Sequence, residues 1–143
     1  MPGKILIVDD EKGMLELLSM TFKHKTDYEV ITTTDPVEVP RILAENDIDI
    51  VISDLRMPEI DGIELMDYVK QVDETIPFIV ITAYGTIESA VEAMKKGAFD
   101  YITKPFRKEQ IILTVDRAMK MRQLQKENIK LKEQLEQMRK KQV

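Results

Sequence analysis

Five short apolar runs alternate along the chain with stretches in which apolar residues recur at helical spacing. The runs are KILIV, YEVIT, IDIVIS, PFIVIT and FDYIT. Alternation of this kind is typical of β/α units with a parallel sheet. The LIV and IVI segments are apolar at consecutive positions, which indicates strands buried on both faces and covered by helices. The pattern therefore predicts an α/β fold.

Four of the intervening stretches carry an apolar stripe on one side of a predicted helix. Gly97 follows the third stripe, where a glycine would close the helix in a left-handed conformation. We expect methionines on these stripes to fill the core rather than to bind a soft metal. The stripes are Met14, Leu17, Leu18, Thr21 and Phe22; Gly62, Leu65, Met66 and Val69; Ile87, Ala90, Val91 and Met94; and Ile112, Val115 and Met119.

The helix after the second strand has conflicting start signals. Asp35 and Pro36 are typical of a cap followed by proline in the first turn. Pro40, four residues later, would clash inside a helix. We therefore expect this helix to start late or to be kinked.

From Met121 onward the apolar spacing alternates between three and four residues, which is typical of a coiled-coil seam. Asn128 would stand at an a position, which favours a parallel pair, and Ile129 does not fit the seam. The alternative is a single frayed helix or a disordered tail, because a free helix of this length is marginal in water. The predicted seam consists of Met121, Leu124, Asn128, Leu131, Leu135 and Met138.

Composition narrows the possible functions. The chain has 143 residues, no cysteine and one histidine, so it cannot build a disulfide framework or a zinc site of its own. Residues 1–119 carry 13 basic and 23 acidic side chains, whereas residues 120–143 carry 8 and 3. The acidic body is a poor nucleic-acid surface, and the basic tail has no aromatic residue to stack on bases. We expect no direct nucleic-acid contact, and His24 is interpreted as solvated.

Polar side chains follow four of the predicted strands. Asp9 and Asp10 follow the first strand, Asp54 the third, Thr82 the fourth and Lys104 the fifth. The carboxyl ends of parallel strands meet at one edge, where ligands bind in open α/β sheets. A carboxylate cluster suits Mg²⁺, and a hydroxyl and an ammonium beside it suit a phosphoryl group. Taken alone, Asp9 is equally compatible with an ordinary loop or cap.

Together these segments resemble the receiver domain of two-component response regulators. The resemblance rests on DD at the first strand end, DLRMPEIDG from Asp54, TAYG from Thr82 and YITKPF, and it covers residues 1 to about 120. It implies a flavodoxin-like, doubly wound sheet of five parallel strands in the order 2-1-3-4-5, with five helices. We expect a receiver domain over residues 1–119 and a helical coiled-coil linker over 120–143.

The resemblance also implies residue roles and a Mg²⁺ cofactor. It makes Asp54 the phosphoacceptor for a sensor histidine kinase, and it implies a cis peptide bond between Lys104 and Pro105. Thr82 would bind the phosphoryl group, Lys104 would neutralise it, and Thr82 and Tyr101 would form a switch pair. The alternative for Tyr101 is an amphipathic ring at a strand edge. The implied metal ligands are Asp10 directly, Asp9 through water, Asp54, and the backbone carbonyl of Arg56.

The tail sequence RQLQKENIKLKEQL resembles the linker of sigma-54-dependent transcription activators, in which a receiver precedes an ATPase and a DNA-binding domain. No GxxxxGK[ST] phosphate loop follows, so we expect a piece of a longer regulator that forms a homodimer. The N-terminus reaches Asp9 too early for a signal peptide, and no stretch is long enough to span a membrane. We expect a cytoplasmic protein. The alternatives are a stand-alone receiver that docks on another protein and a Mg²⁺-dependent phosphatase or nuclease.

Overall fold

The computed structural model describes residues 3–83 and 85–141, which form one five-stranded parallel sheet flanked by helices. The strands are β1 (Lys4–Val8), β2 (Glu29–Thr33), β3 (Ile50–Ser53), β4 (Phe78–Thr82) and β5 (Asp100–Thr103). The helices are α1 (Lys12–Lys25), α2 (Val39–Glu45), α3 (Gly62–Val72), α4 (Ile87–Lys95) and α5 (Lys108–Lys141). The spatial order is β2-β1-β3-β4-β5, which confirms the predicted topology.

Burial along the strands follows from this order. The central strands β3 and β4 are buried at every position, whereas in the edge strand β2 only Thr33 is buried. Alternate residues of the central strands enter two separate apolar clusters. Helices α2, α3 and α4 contribute to the cluster on one face, and α1 and α5 contribute to the cluster on the other. The prediction of strands covered on both faces is therefore confirmed.

The second helix starts late, as predicted. A 3-10 turn over Pro36–Glu38 comes first, and the Asp35 carboxylate accepts a hydrogen bond from the Val37 amide at 3.0 Å. Helix α2 then begins at Val39, which places Pro40 in its first turn. A proline is tolerated there because the first-turn amides have no partner within the helix.

The predicted stripes of α1, α4 and α5 need correction. In α1 the buried side is formed by Leu15, Leu18, Thr21 and Phe22, and Leu17 is exposed.

In α4 only Ala93 is buried, while Ile87 is 86% exposed and Met94 is 46% exposed. The expectation that Met94 fills the core was therefore wrong, whereas Met66 is fully buried. In α5 the residue buried most fully at the start is Ile111, and Ile112 is half-buried.

Helix α5 is 34 residues long and runs without interruption through residues 119 and 120. Its buried side comprises Ile111, Thr114, Val115, Ala118, Met119 and Arg122. From residue 123 to residue 141 every side chain is exposed. No helix in the described part of the chain combines the length and the apolar character needed to cross a bilayer.

Candidate functional site

Three carboxylates meet at the carboxyl edge of the sheet. Asp9 and Asp10 directly follow β1, and Asp54 directly follows β3. Their oxygens lie within 4.8 Å of one another, with Asp9 and Asp54 buried and Asp10 exposed. The parallel pairing of β1 with β3 produces this meeting, because Val8 stands opposite Ser53 in the register. Three hard oxygen donors converging in this way suit Mg²⁺, which is commonly held by carboxylates together with water and phosphate oxygens.

The Lys104 ammonium connects two of these acids. Lys104 directly follows β5, and its Nζ donates to Asp9 Oδ2 at 2.9 Å and to Asp54 Oδ2 at 3.2 Å. Burial alone would lower the pKa of Lys104, but Asp9 and Asp54 outweigh it and the pKa lies above its ordinary value. The side chain therefore stays charged at neutral pH and offsets part of the acidic charge. The bond between Lys104 and Pro105 is cis.

Asp9 is held in place from two directions. It accepts a hydrogen bond from the Glu11 amide at 2.9 Å as well as from Lys104. Burial raises the pKa of its carboxyl above the ordinary value, although both of these hydrogen bonds act to lower it. An acid that is costly to ionise and lies beside two others is well suited to receive a cation.

The segment that carries Asp54 packs tightly against α3. The other carboxylate oxygen of Asp54, Oδ1, accepts from the Arg56 amide at 3.3 Å. The Gly62 amide, at the start of α3, donates to the Leu55 carbonyl at 2.7 Å. A Cβ on Gly62 would come within 2.6 Å of the Asp54 carbonyl oxygen, so a residue without a side chain is needed at this position. Asp61 caps the same helix by accepting from the Glu64 amide at 2.8 Å.

Thr82 and Tyr101 lie on the neighbouring strands β4 and β5. Thr82 is fully buried at the carboxyl end of β4, opposite Thr103 in the register. Tyr101 is half-buried, and its hydroxyl lies 2.8 Å from the Ser89 hydroxyl on α4. A Cβ on Gly85 would come within 2.9 Å of that same Tyr101 hydroxyl. The ring therefore lies against the loop between β4 and α4.

Ser89 is a site residue that the sequence reasoning missed. Its hydroxyl accepts from the Thr86 amide at 3.0 Å, while Thr86 Oγ1 accepts from the Ser89 amide at 3.0 Å. This reciprocal pair is a capping box at the start of α4. The signal was present as Thr-x-x-Ser, but serine in place of the usual acidic residue or glutamine made it weak. Ser89 links the cap of α4 to the Tyr101 hydroxyl.

The other predicted residues lie outside this cluster. His24 is exposed in the last turn of α1, in agreement with its interpretation as solvated. The predicted seam residues lie on α5 beyond the receiver core, and the five apolar ones are 44–59% exposed.

A parallel α/β sheet with a carboxylate cluster and a lysine at its carboxyl edge is typical of a doubly wound protein that binds its ligand beyond the strand ends. The profile of the family described as "Response regulator receiver domain" matches residues 5–116. The chain belongs to this family.

Individual relatives agree with this assignment. The transcriptional regulatory protein GlrR of Escherichia coli (strain K12) is 38% identical over 118 residues, which cover 82% of this chain and 26% of GlrR. The crystal structure of NtrX from Brucella abortus matches 92% of this chain and 30% of its own, with 30% identity and a TM-score of 0.83. The beryllofluoride-activated NtrC4 receiver domain dimer matches 83% and 98%, with 31% identity and a TM-score of 0.78. The chain spans about a quarter of the length of curated relatives such as GlrR.

Proposed function

We propose that this receiver takes a phosphoryl group from a sensor histidine kinase onto Asp54. The observation that supports this most directly is the Lys104 ammonium, which contacts Asp9 and Asp54 together at the edge that also carries Thr82. The site thus offers a carboxylate nucleophile next to a fixed positive charge. Carboxylates form acyl-phosphate intermediates of this kind in phosphoryl-transfer proteins.

In the proposed step an Asp54 carboxylate oxygen bonds to phosphorus while the bond from phosphorus to the histidine nitrogen of the donor breaks. The electron pair of that bond leaves with the imidazole, so no oxidant or additional reactant is needed. Lys104 offsets the charge that accumulates on the phosphoryl oxygens, and Thr82 donates its hydroxyl to one of them. Asp10 would hold Mg²⁺ directly, Asp9 through water, and Asp54 and the Arg56 carbonyl would complete the protein ligands. Bound Mg²⁺ supplies further neutralisation of phosphoryl charge.

The response to phosphorylation would pass through the Thr82 and Tyr101 pair. Thr82 would move toward the phosphoryl group, and Tyr101 would turn into the space beside it. Ser89, whose hydroxyl lies 2.8 Å from the Tyr101 hydroxyl, and Gly85, where an added Cβ would approach that hydroxyl, stand between these two residues along the chain. Movement of the Tyr101 ring would therefore change the contacts of the cap of α4.

The output we propose is control of a homodimer. The exposed apolar positions of the tail give a seam in which Asn128 would meet its own symmetry mate and Glu127 would face Lys132 of the partner helix. Ile87, Val91 and Met94 on α4 add an exposed apolar stripe that could support receiver contacts. A related receiver, that of NtrC4, is described as a dimer when activated by beryllofluoride.

The relatives favour a role in transcription. GlrR is a transcriptional regulatory protein, and this chain matches a quarter of its length. We therefore propose that the receiver controls ATPase and DNA-binding domains in a longer cytoplasmic regulator, with sigma-54-dependent transcription as the output. The receiver itself would act as a phosphoryl acceptor and not as an enzyme with a free substrate.

Phosphorylation can be tested with acetyl phosphate and Mg²⁺, followed by intact-protein mass spectrometry. We expect one acid-labile phosphoryl group on the parent protein and on Asp47→Asn, an exposed acid ahead of β3. We expect none on Asp54→Asn. Equal labelling of Asp54→Asn and the parent would contradict the assignment. Sustained hydrolysis of a phosphoester would instead favour a phosphatase.

A further inference from the structure

Arg122 is the one buried side chain in the part of α5 that follows residue 119, among the residues the structure describes. It is 5% exposed, whereas residues 123–141 are all exposed. Its Nε donates to Asp49 Oδ1 at 3.1 Å, and its Nη1 donates to Asp73 Oδ2 at 3.3 Å and to Thr75 Oγ1 at 2.6 Å. One guanidinium therefore joins α5 to two separate loops of the receiver.

The acceptors of Arg122 are themselves held by the backbone. Asp49 Oδ2 accepts from the Lys4 amide at 2.9 Å, at the start of β1. Asp73 Oδ1 accepts from the amide and the hydroxyl of Thr75 at 2.9 and 2.7 Å. Burial by itself would raise the pKa of Asp73, but Thr75 and Arg122 together hold it below the ordinary value. The guanidinium is thus bonded to acceptors that have little freedom to move.

These contacts lie at the amino end of the sheet, opposite the carboxylate cluster. Asp49 precedes β3, and Asp73 and Thr75 lie between α3 and β4. A buried ion pair is weak as a source of stability, because an apolar side chain of similar size often does as well. The planar guanidinium of arginine holds its hydrogen-bond donors in a rigid arrangement, so its contacts fix the orientation of the side chain. We propose that Arg122 is a positioning residue that sets the direction and the rotation of the tail relative to the receiver.

The rotation matters because of where the predicted seam lies. At about 100° per residue, all six seam residues point between about 100° and 180° away from Arg122 around the helix. With Arg122 anchored to the receiver, Leu124, Leu131, Leu135 and Met138 therefore face away from it and toward a second chain. Met121 and Asn128, which lie closer to Arg122 around the helix, also border grooves against the receiver. The anchoring itself requires neither phosphorylation nor dimerisation; only this consequence rests on the proposed pairing of tails.

Ile129, which does not fit the seam, agrees with this geometry. It follows Arg122 by seven residues, so it lies within about 20° of the same side of the helix. Together with Gln125 and Asn128 it lines a groove of about 270 Å³ against Glu74 and Thr75. The side of the tail that begins at Arg122 thus continues to face the receiver for two turns.

The absence of cysteine permits a clean test by spin labelling. Labels are placed at Gln71→Cys on α3 and Lys130→Cys on the tail, both exposed positions. Distances are measured by pulsed electron spin resonance after dilution with unlabelled protein, so that only pairs within one chain contribute. The compared proteins are the parent, Arg122→Met, Asp73→Asn and, as the matched control, Arg117→Met, an exposed arginine of the same helix.

We expect a narrow distance distribution in the parent and in Arg117→Met. Arg122→Met should broaden or shift it, and Asp73→Asn should do so to a smaller extent. Amide hydrogen exchange in residues 119–126 should speed up about tenfold or more in Arg122→Met, since hydrogen bonds to charged groups are lost. If Arg122→Met keeps the narrow parental distribution, the proposal is overturned, whatever the state of Asp54 or of the dimer. If Arg122→Met does not fold, an unchanged distribution in Asp73→Asn overturns it.

Discussion

Gly62 occupies the position where α3 comes closest to the backbone of Asp54. An added Cβ would lie 2.6 Å from the Asp54 carbonyl oxygen and 2.9 Å from Leu55 Cα, and both are backbone atoms that cannot rotate away. We expect Gly62→Ala to lower the free energy of unfolding by about 1–3 kcal/mol. It should also slow phosphorylation, because relief of the clash displaces the segment that carries Asp54, the proposed phosphoacceptor. Urea unfolding followed by circular dichroism and the labelling rate by mass spectrometry measure the two effects.

Gly13 supplies the matched control for this prediction. It lies in the first turn of α1, and a Cβ there would meet nothing within 4 Å. Gly13→Ala should raise the free energy of unfolding by about 0.4–1 kcal/mol through the unfolded state and leave the labelling rate unchanged. Equal changes in the free energy of unfolding of Gly62→Ala and Gly13→Ala would show that the close approach at Gly62 does not affect stability.

At the level of single residues, the sequence predicted which side chains meet at the ends of neighbouring strands. It did not predict which side chains tertiary packing brings together elsewhere. Asp9, Asp54 and Lys104 could be placed at one edge because parallel strands end there. The partners of Arg122 lie 47 to 73 residues away along the chain, and no local pattern connects them. The available signal was a charged residue that continues the buried side of α5 beyond Ala118 and Met119.

Among the elements, the tail of α5 carries the clearest prediction. Leu131→Asp combined with Leu135→Asp should abolish association through the seam, because both substitutions place charge on its apolar side. The matched control is Gln123→Asp with Gln137→Asp, which adds the same charge to the same helix away from the seam. Sedimentation equilibrium should show a dimer for the parent and the control. A weaker dimer or a monomer is expected for the leucine variant and for residues 1–119 alone.

Each measurement is made before and after phosphorylation of Asp54. Because three heptads associate only weakly, the exposed apolar stripe of α4 is expected to contribute to the parental dimer. Equal association of all four proteins in both states would mean that the tail is a passive linker.

Helices α2 and α4 show what periodicity can and cannot predict. The late start of α2 followed from the chemistry of Pro36 and Pro40, which acts within a few residues. The apolar stripe of α4 was correct as a pattern, but Ile87 and Met94 face solvent instead of the sheet. Periodicity identifies the apolar side of a helix, whereas what covers that side depends on elements distant in the sequence.

For the whole molecule, we expect Mg²⁺ to stabilise the fold. Asp9, Asp10 and Asp54 lie within 4.8 Å of one another, and Lys104 offsets only part of their repulsion. At ten times the dissociation constant the gain is about 1.4 kcal/mol, which corresponds to a few degrees in Tm. Asp10→Asn should melt higher than the parent without metal, because one repelling charge is removed, and should respond less to Mg²⁺. Thermal scans with and without Mg²⁺ measure the rise in Tm. An equal rise in the parent and in Asp10→Asn would contradict the attribution of the effect to repulsion among these carboxylates.

Because α5 is uninterrupted, a tilt at the base of the tail moves its far end sideways. The 19 residues from 123 to 141 extend about 29 Å beyond Arg122 at 1.5 Å per residue. A tilt of about 10° at the base of such a rod would carry its tip sideways by about 5 Å, which is close to the pitch of one helical turn. Small movements of the receiver would thus become larger sideways displacements at the far end of the helix.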